Sequence, residues 1–413
     1  MPIPSSGLSD QYRATRQRTM KLCRNLTAED MVAQSMPDAS PAKWHLAHTT
    51  WFYETFILTA YSPSYRVFDE RYAYLFNSYY VSAGSRYLRP QRGLLTRPSL
   101  SQIQDYRAYV DEHMVALLKQ GDDSVSYLTT VGVHHEMQHQ ELMMTDILHL
   151  LAHNPLYPQV FDRSVPRSVA SDLSMLSVDS TMTEVGAPEQ GFSYDCEKPK
   201  HQAYLHSHAL ANRPVTNGEW LQFIDDKGYQ EPLLWLSDGW SCKEEHDWQT
   251  PLYWHQENGE WHQYGLDGMH PLDLNAPVCH VSYYEADAFA KWAGKRLPNE
   301  HELEHSTESY KIEGHFVENE WLRPVISSDS STSLCQVYGD VWEWTQSAYS
   351  PYPKFKAEQG ALGEYNGKFM ANQFVLKGGS CATAQLQMRS SYRNFFYPHH
   401  RWQYSGLRLA EDV

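Results

Sequence analysis

The sequence predicts an α+β protein in which a four-helix bundle precedes a domain of short strands and turns, and three observations carry that prediction. Apolar residues recur at helical spacing through most of residues 1–154. Residues 155–175, NPLYPQVFDRSVPRSVASDLS, then mix Pro, Ser and aromatics without a clean period and read as a linker. From 176 to 413 the texture changes to short segments set between Gly, Asn, Asp and Trp. A chain of 413 residues with 41% hydrophobic composition can bury more than one core, and two domains is the natural expectation.

Taken in order, residues 8–25 place Leu8, Tyr12, Met20 and Leu22 in a charged background behind Ser9, a candidate N-cap, and read as an amphipathic helix. Thr27 to Asp30 open a turn or a short second helix. Residues 42–60 carry Trp44, Ala47, Trp51, Phe52, Thr55 and Phe56 at helical spacing, together with His45 and His48. His48 lies one turn from Trp51 and Phe52, beside an apolar face where an unpartnered imidazole is costly. It is therefore preferred over His45 as a ligand. The next stretch holds Tyr79, Tyr80, Arg86, Arg89, Arg92 and Arg97, while Pro90, Gly93 and Pro98 forbid a continuous helix. Closely spaced arginines in an acidic chain suit the capture of a carboxylate, although any one of them can equally be structural. Residues 101–120 return to helical spacing through Ile103, Tyr106, Val110, Met114, Leu117 and Leu118.

The last helix of the bundle contains VGVHHEMQHQELMMTDILHL, residues 131–150. Each helical residue turns about 100°, so His135 and His139 project from one face and can hold one metal ion. Glu141 falls about 200° beyond His139 and should point away, so a third ligand must come from elsewhere. Gln138 returns to within about 60° of His135 and can touch a molecule bound at the metal. Two other readings of the stretch stand beside this one. His135 to His139 is literally H-E-x-x-H, the zinc-protease signature with Glu136 as base. The histidines could also be satisfied residues of a buried helix.

Composition excludes several partners. The formal net charge of −16 argues against nucleic acid and anionic membrane, since no basic excess is available to neutralise phosphates. Six cysteines without a C-x-x-C pair write neither a zinc knuckle nor a redox dithiol. The N-terminal residues lack an apolar signal core, and no apolar run approaches the roughly 18 residues of a membrane span. A cytoplasmic protein with reduced thiols is the plain expectation, and its assembly into a homo-oligomer is left open.

In the second half, RPVTNGEWLQF (213–223), PVCHVSYYEADAFAKWAGKRLPNEHELE (277–304), GDVWEWT (339–345), KGGS (377–380) and a closing R-x-x-x-R with GLRLA (389–410) stand out. Within them Ser282 to Glu285 form a capping box before a helix ended by Gly294, the one helix expected here. These strings resemble the formylglycine-generating-enzyme, or sulfatase-modifying-factor, domain with its C-type-lectin-like fold. The first half resembles a DinB-type metal-binding bundle. The pairing is similar to the ergothioneine-type sulfoxide synthases, marked by H-x-x-x-H-x-E plus an upstream histidine, and the likeness covers nearly the whole chain.

That resemblance implies a non-haem iron(II) enzyme that couples the sulfur of cysteine or γ-glutamylcysteine to the imidazole C2 of trimethylated histidine (hercynine) with O2. Carried over residue by residue, it gives iron to His48, His135 and His139 and places Gln138 against the ring of hercynine. It gives the carboxylate of hercynine to Asn394 and the carboxylate of the thiol to Arg89 and Arg92. Tyr79 and Tyr80 resemble a tyrosine pair that lies at the iron in one branch and supplies a proton or hydrogen atom; Tyr365 is the next candidate. Where the best-known branch follows the asparagine with Trp-Asp, this chain has Phe395 and Phe396. The missing aspartate favours free cysteine as the donor. A selenol donor, another histidine acceptor, a zinc metalloprotease built on HEMQH, and a lectin-like binding module are the rivals. A sulfatase-activating role lacks the paired redox cysteines that it needs.

Overall fold

The computed structural model describes residues 5–326, 332–359 and 363–413. The chain divides into two units. The first comprises residues 1–160 with the short returns 190–192 and 358–365, and the second comprises 161–189, 193–357 and 366–413.

Helices build the first unit. α1 spans Ser5–Leu22, α2 spans Ala42–Tyr53, and α2 runs through a π-turn at Glu54–Leu58 into a last turn α3, Thr59–Tyr61. After α4, Tyr72–Phe76, come the long helices α5, Leu100–Leu118, and α6, Asp123–Ala152. Their starts follow from the sequence. The Ser99 hydroxyl and Gln102 side chain close a capping box at α5, and the Asp122 carboxylate accepts the Val125 N–H at α6. Every residue of α2 is buried, which makes it the central helix, and it packs on both α5 and α6. Gly132 permits the α2–α6 approach, because a Cβ there would stand 2.4 Å from the Tyr53 ring. The π-turn, which the helical period does not reveal, is anchored by Glu54, whose carboxylate accepts the Tyr65 hydroxyl (2.5 Å), the Tyr106 hydroxyl (2.6 Å) and the Phe68 N–H (3.0 Å).

A buried ion-pair network ties α1, α5 and α6 together. The Glu136 carboxylate accepts from Arg16 Nη1 (3.0 Å), Arg107 Nη2 (2.8 Å) and the Thr19 hydroxyl (2.6 Å). Burial by itself would raise this carboxyl, but the two guanidinium groups outweigh it and hold the group down at about 2.

Short strands organise the second unit, as its texture predicts. β1 (Met175–Val178), β4 (His208–Ala211) and β12 (Ala410–Asp412) form one antiparallel sheet with β4 in the centre. β8 (Trp342–Ala348) and β9 (Phe374–Lys377) pair at the middle of a second, flanked by β11 (Ser405–Gly406) and β10 (Asn394–Phe396). β2 (Thr181–Val185) pairs with β3 (His201–Leu205), and β5, β6 and β7 (Trp254–Glu257, Glu260–Gly265, Gly268–Pro271) form a meander. The expected helix is present as α9, Tyr283–Trp292, with Gly294 beyond it at φ +66°. Three more accompany it: α7 (Asn217–Asp225), α8 (Ser237–Glu245) and α10 (Glu300–Thr307). Two of these were legible at their starts, since Thr216 with Glu219 opens α7 and Asn299 with Glu302 opens α10 as capping boxes; α8 has no side-chain cap. Buried pairs Arg408–Glu343 (2.8 Å) and Arg393–Glu300 (2.7 Å) tie β8 and α10 to the segments that lead into β12 and β10. Among the described residues no helix is long and apolar enough to cross a membrane.

Candidate active site

On α6 the helical period brings His135 and His139 to one face, and α2 presents His48 to it. One ring nitrogen from each of the three lies within 4.8 Å of the others, the one such His, Cys, Asp or Glu group among the described residues. The ring centroids are 4.6–5.0 Å apart, and His48 Nε2 stands 3.2 Å from His135 Nε2. Glu141 is buried but stands outside this group, as its angle on the helix requires.

Two of the three outward nitrogens, those of His48 and His139, are held as ligand histidines need; His135 Nδ1 is buried without a hydrogen-bond partner among the described residues. His48 Nδ1 meets the Phe76 carbonyl at 2.6 Å, so it carries the hydrogen and leaves Nε2 as a lone pair facing the cluster. His139 Nδ1 meets His45 Nδ1 at 2.8 Å, and His45 Nε2 meets the Asp146 carboxylate at 3.1 Å. With the carboxylate accepting, His45 Nδ1 becomes the acceptor for the N–H of His139, whose Nε2 is then free. His45 thus stands behind the cluster rather than in it. Burial lowers all three imidazoles, with His135 brought to about 3. Neighbouring imidazoles add to the effect at His48 and His139. Neutral rings gathered in this way fit a metal ion, because a cation satisfies ring nitrogens that otherwise only face one another. The same set, with no carboxylate of its own, leaves coordination positions for other ligands.

Two tryptophans frame His48, Trp44 at 4.6 Å (12° between planes) and Trp51 at 5.5 Å (18°). On Trp44 lies the Arg92 guanidinium, 3.3 Å from a ring centroid. Arg92 is only 5% exposed, donates Nη1 to the Ser40 hydroxyl at 2.9 Å, and has no carboxylate salt-bridge partner among the described residues. Burial, with Arg89 nearby, drives its ionisation well below the usual range, the signature of a cation that awaits an anion. Arg89 is placed differently: it is exposed and donates to the Asp38 carbonyl.

Tyr79 is half-buried and stacks on Tyr80 (4.6 Å), while Tyr80 is fully buried against Trp51 and Phe56. Asn77 holds their loop through the Tyr80 N–H and carbonyl. Tyr365, in a returning segment of this unit, sets its ring edge on to His135 (5.7 Å) and donates its hydroxyl to Gln138 Oε1. Its neighbour Glu364 accepts the Val81 and Ser82 N–H groups. No local signal announces that Glu364 and Tyr365 fold back on to the helices. Asn394 begins β10 in the second unit, where its side-chain oxygen accepts the Phe395 N–H. Glu136 faces away from the histidines and is fully engaged by Arg16, Arg107 and Thr19, so the protease reading loses its base.

Both halves of the chain match known protein families. Residues 11–154 match the DinB superfamily, and residues 165–413 match the sulfatase-modifying factor enzyme 1-like domain. Hercynine oxygenase of Mycolicibacterium smegmatis is 31% identical over 445 residues, covering 100% of both chains. Hercynine oxygenase of Mycobacterium tuberculosis is 31% identical over 426 residues, covering 96% of this chain and 97% of that one. Ergothioneine biosynthesis protein 1 of Schizosaccharomyces pombe is 31% identical over 234 residues, 54% of this chain and 28% of that one. On full-length similarity, with both halves matched in the same order, the chain belongs to the hercynine oxygenase family.

Proposed function

We propose that the chain is a non-haem iron(II) sulfoxide synthase of ergothioneine biosynthesis. It joins the sulfur of cysteine, or of γ-glutamylcysteine, to the imidazole C2 of hercynine with O2. The observation that carries this reading is the set of three neutral imidazoles, His48, His135 and His139, beside the buried guanidinium of Arg92. Iron(II), when bound, supplies the redox chemistry that couples oxygen to oxidation of sulfur.

The chain's own residues divide the remaining work. His48, His135 and His139 would hold the metal. Arg92, fixed on Trp44, binds the carboxylate of the thiol and so aims its sulfur at the centre; Arg89, from the protein surface, adds long-range attraction. Gln138 lies against the ring of hercynine, and Asn394, by resemblance, holds that substrate's carboxylate. A tyrosine hydroxyl delivers the proton or hydrogen atom that separates C–S coupling from simple oxidation of the thiol. Of Tyr79, Tyr80 and Tyr365, the last has its ring on a ligand imidazole and its hydroxyl on Gln138, which supports it as the donor. Phe395, stacked on Tyr349 at 4.1 Å, and Phe396 offer no charge to a glutamyl amine, which supports free cysteine as the donor. Six free cysteines support a reducing compartment, the cytoplasm.

Anaerobic loading with iron(II), then mass spectrometry of products from hercynine with cysteine or γ-glutamylcysteine under oxygen, tests the proposal. A sulfoxide conjugate formed faster with cysteine is expected. Thiol oxidation without any conjugate would overturn it.

A further inference from the structure

Behind His139 a line of hydrogen bonds runs through the interior to Arg92. From His139 Nδ1 it passes to His45 Nδ1 (2.8 Å) and from His45 Nε2 to Asp146 Oδ2 (3.1 Å). The same Asp146 oxygen accepts the Ser40 N–H (2.8 Å), and the Ser40 hydroxyl accepts Arg92 Nη1 (2.9 Å). All the side chains between the two ends are buried: His45 is 3% exposed, Asp146 6% and Ser40 5%. Asp146 follows His135 by eleven residues on α6, about 20° from it on the helical wheel, so the face that carries two ligands also carries this carboxylate. No metal or substrate contact described above uses it.

We propose that Asp146 is a positioning residue with two arms, one orienting the metal ligand His139 through His45 and the other placing Arg92 through Ser40. The proposal rests on the metal-centre reading for the first arm and on the thiol-carboxylate reading for the second. By fixing His45 Nε2 as a donor, Asp146 leaves His45 Nδ1 to accept from His139, which turns the lone pair of His139 inward. By holding the Ser40 backbone, it sets the hydroxyl on which Arg92 rests. Because one carboxylate serves both arms, occupancy at one end stiffens the other, and metal and thiol bind with mutual reinforcement.

The test uses the full chain and iron(II) alone, titrated anaerobically against a chelator, with no substrate present. Loss of an outer hydrogen-bond partner weakens metal binding by about 10- to 100-fold, and that is expected of Asp146→Asn and of His45→Gln. The Asp146→Asn change made on top of His45→Gln should then add little. Ser40→Ala keeps the backbone N–H to Asp146, so it should retain iron affinity while weakening cysteine binding, measured calorimetrically on the iron-loaded protein without oxygen. Wild-type iron affinity in both His45→Gln and Asp146→Asn would overturn the first arm. Unchanged cysteine affinity in Ser40→Ala would overturn the second. Should Asp146→Asn not fold by circular dichroism, His45→Gln and Asp146→Glu decide the first arm. A chain that forms no sulfoxide at all still gives these binding results, so failure of the activity reading and of this one are separable.

Discussion

Helix α6 carries two buried polar faces one residue apart, and they are built in opposite ways. On one, Glu136 is met by two guanidinium groups and a hydroxyl, so its charge is matched within the protein. On the other, His135 and His139 turn toward His48, three rings with no opposite charge in their group, and Arg92 lies nearby with no carboxylate bound to it among the described residues. A face that satisfies itself holds the bundle together. A face with lone pairs and a cation left over is a place for ligands. Glu136, His135 and His48 are alike in burial, so among them the difference is one of pairing.

Substitutions separate the two faces with the largest effects. His139→Ala should abolish iron binding, while Glu141→Gln, outside the cluster, should leave iron stoichiometry intact by metal analysis. Equal loss in both would sink the ligand assignment. Glu136→Ala should leave two buried guanidinium groups uncompensated and cost about 3–5 kcal/mol in urea unfolding of the metal-free protein. A change under about 1 kcal/mol would show that the network is slack.

Arg92→Leu removes one charge-assisted contact worth about 1.5–3 kcal/mol, so KM for cysteine should rise about 10- to 150-fold with little change for hercynine. Equal change in both substrates would make Arg92 structural. Tyr365→Phe keeps the ring and removes the donor, so the product should shift from the sulfoxide toward cysteine sulfinic acid. If the ratio holds there and shifts in Tyr79→Phe with Tyr80→Phe, the donor lies in the tyrosine pair.

Acid separates the two faces more gently. His135 in the folded chain titrates at about 3, below the roughly 6.5 of an unfolded imidazole. The unfolded state therefore binds more protons in that window, and the metal-free protein loses stability as pH falls from about 6.5, by up to about 1.4 kcal/mol per pH unit for each such ring. Glu136, lowered from 4.5 to about 2, contributes stability that is complete above 4.5 and is lost only as pH falls toward 2. Unfolding free energies measured from pH 7 to pH 3 should decline from the histidine window first. A single decline beginning below pH 4.5 would assign the loss to the carboxylate instead.

Much of this was legible in the sequence because helices repeat at a fixed angle. That angle alone puts His135 and His139 together and turns Glu141 away, and the apolar neighbours Trp51 and Phe52 single out His48. Its limits are equally physical. Tyr365 reaches His135 because a segment more than two hundred residues distant folds back, and no local period encodes such a return. His45 is a rival ligand on local sequence alone, and what removes it is the engagement of both its nitrogens, a fact of tertiary pairing. Asp146 could have been found by extending the ligand stripe two more turns along α6. The π-turn at Glu54–Leu58 has no signature in hydrophobic spacing, since it depends on what Glu54 meets across the bundle.

X-ray absorption on the anaerobically iron-loaded chain decides whether three imidazoles and no protein carboxylate hold iron. Outer-shell scattering from three imidazole rings, lost in His139→Ala and unchanged in Glu141→Gln, is the predicted result. Scattering from two imidazoles with a carboxylate that disappears in Glu141→Gln would contradict it.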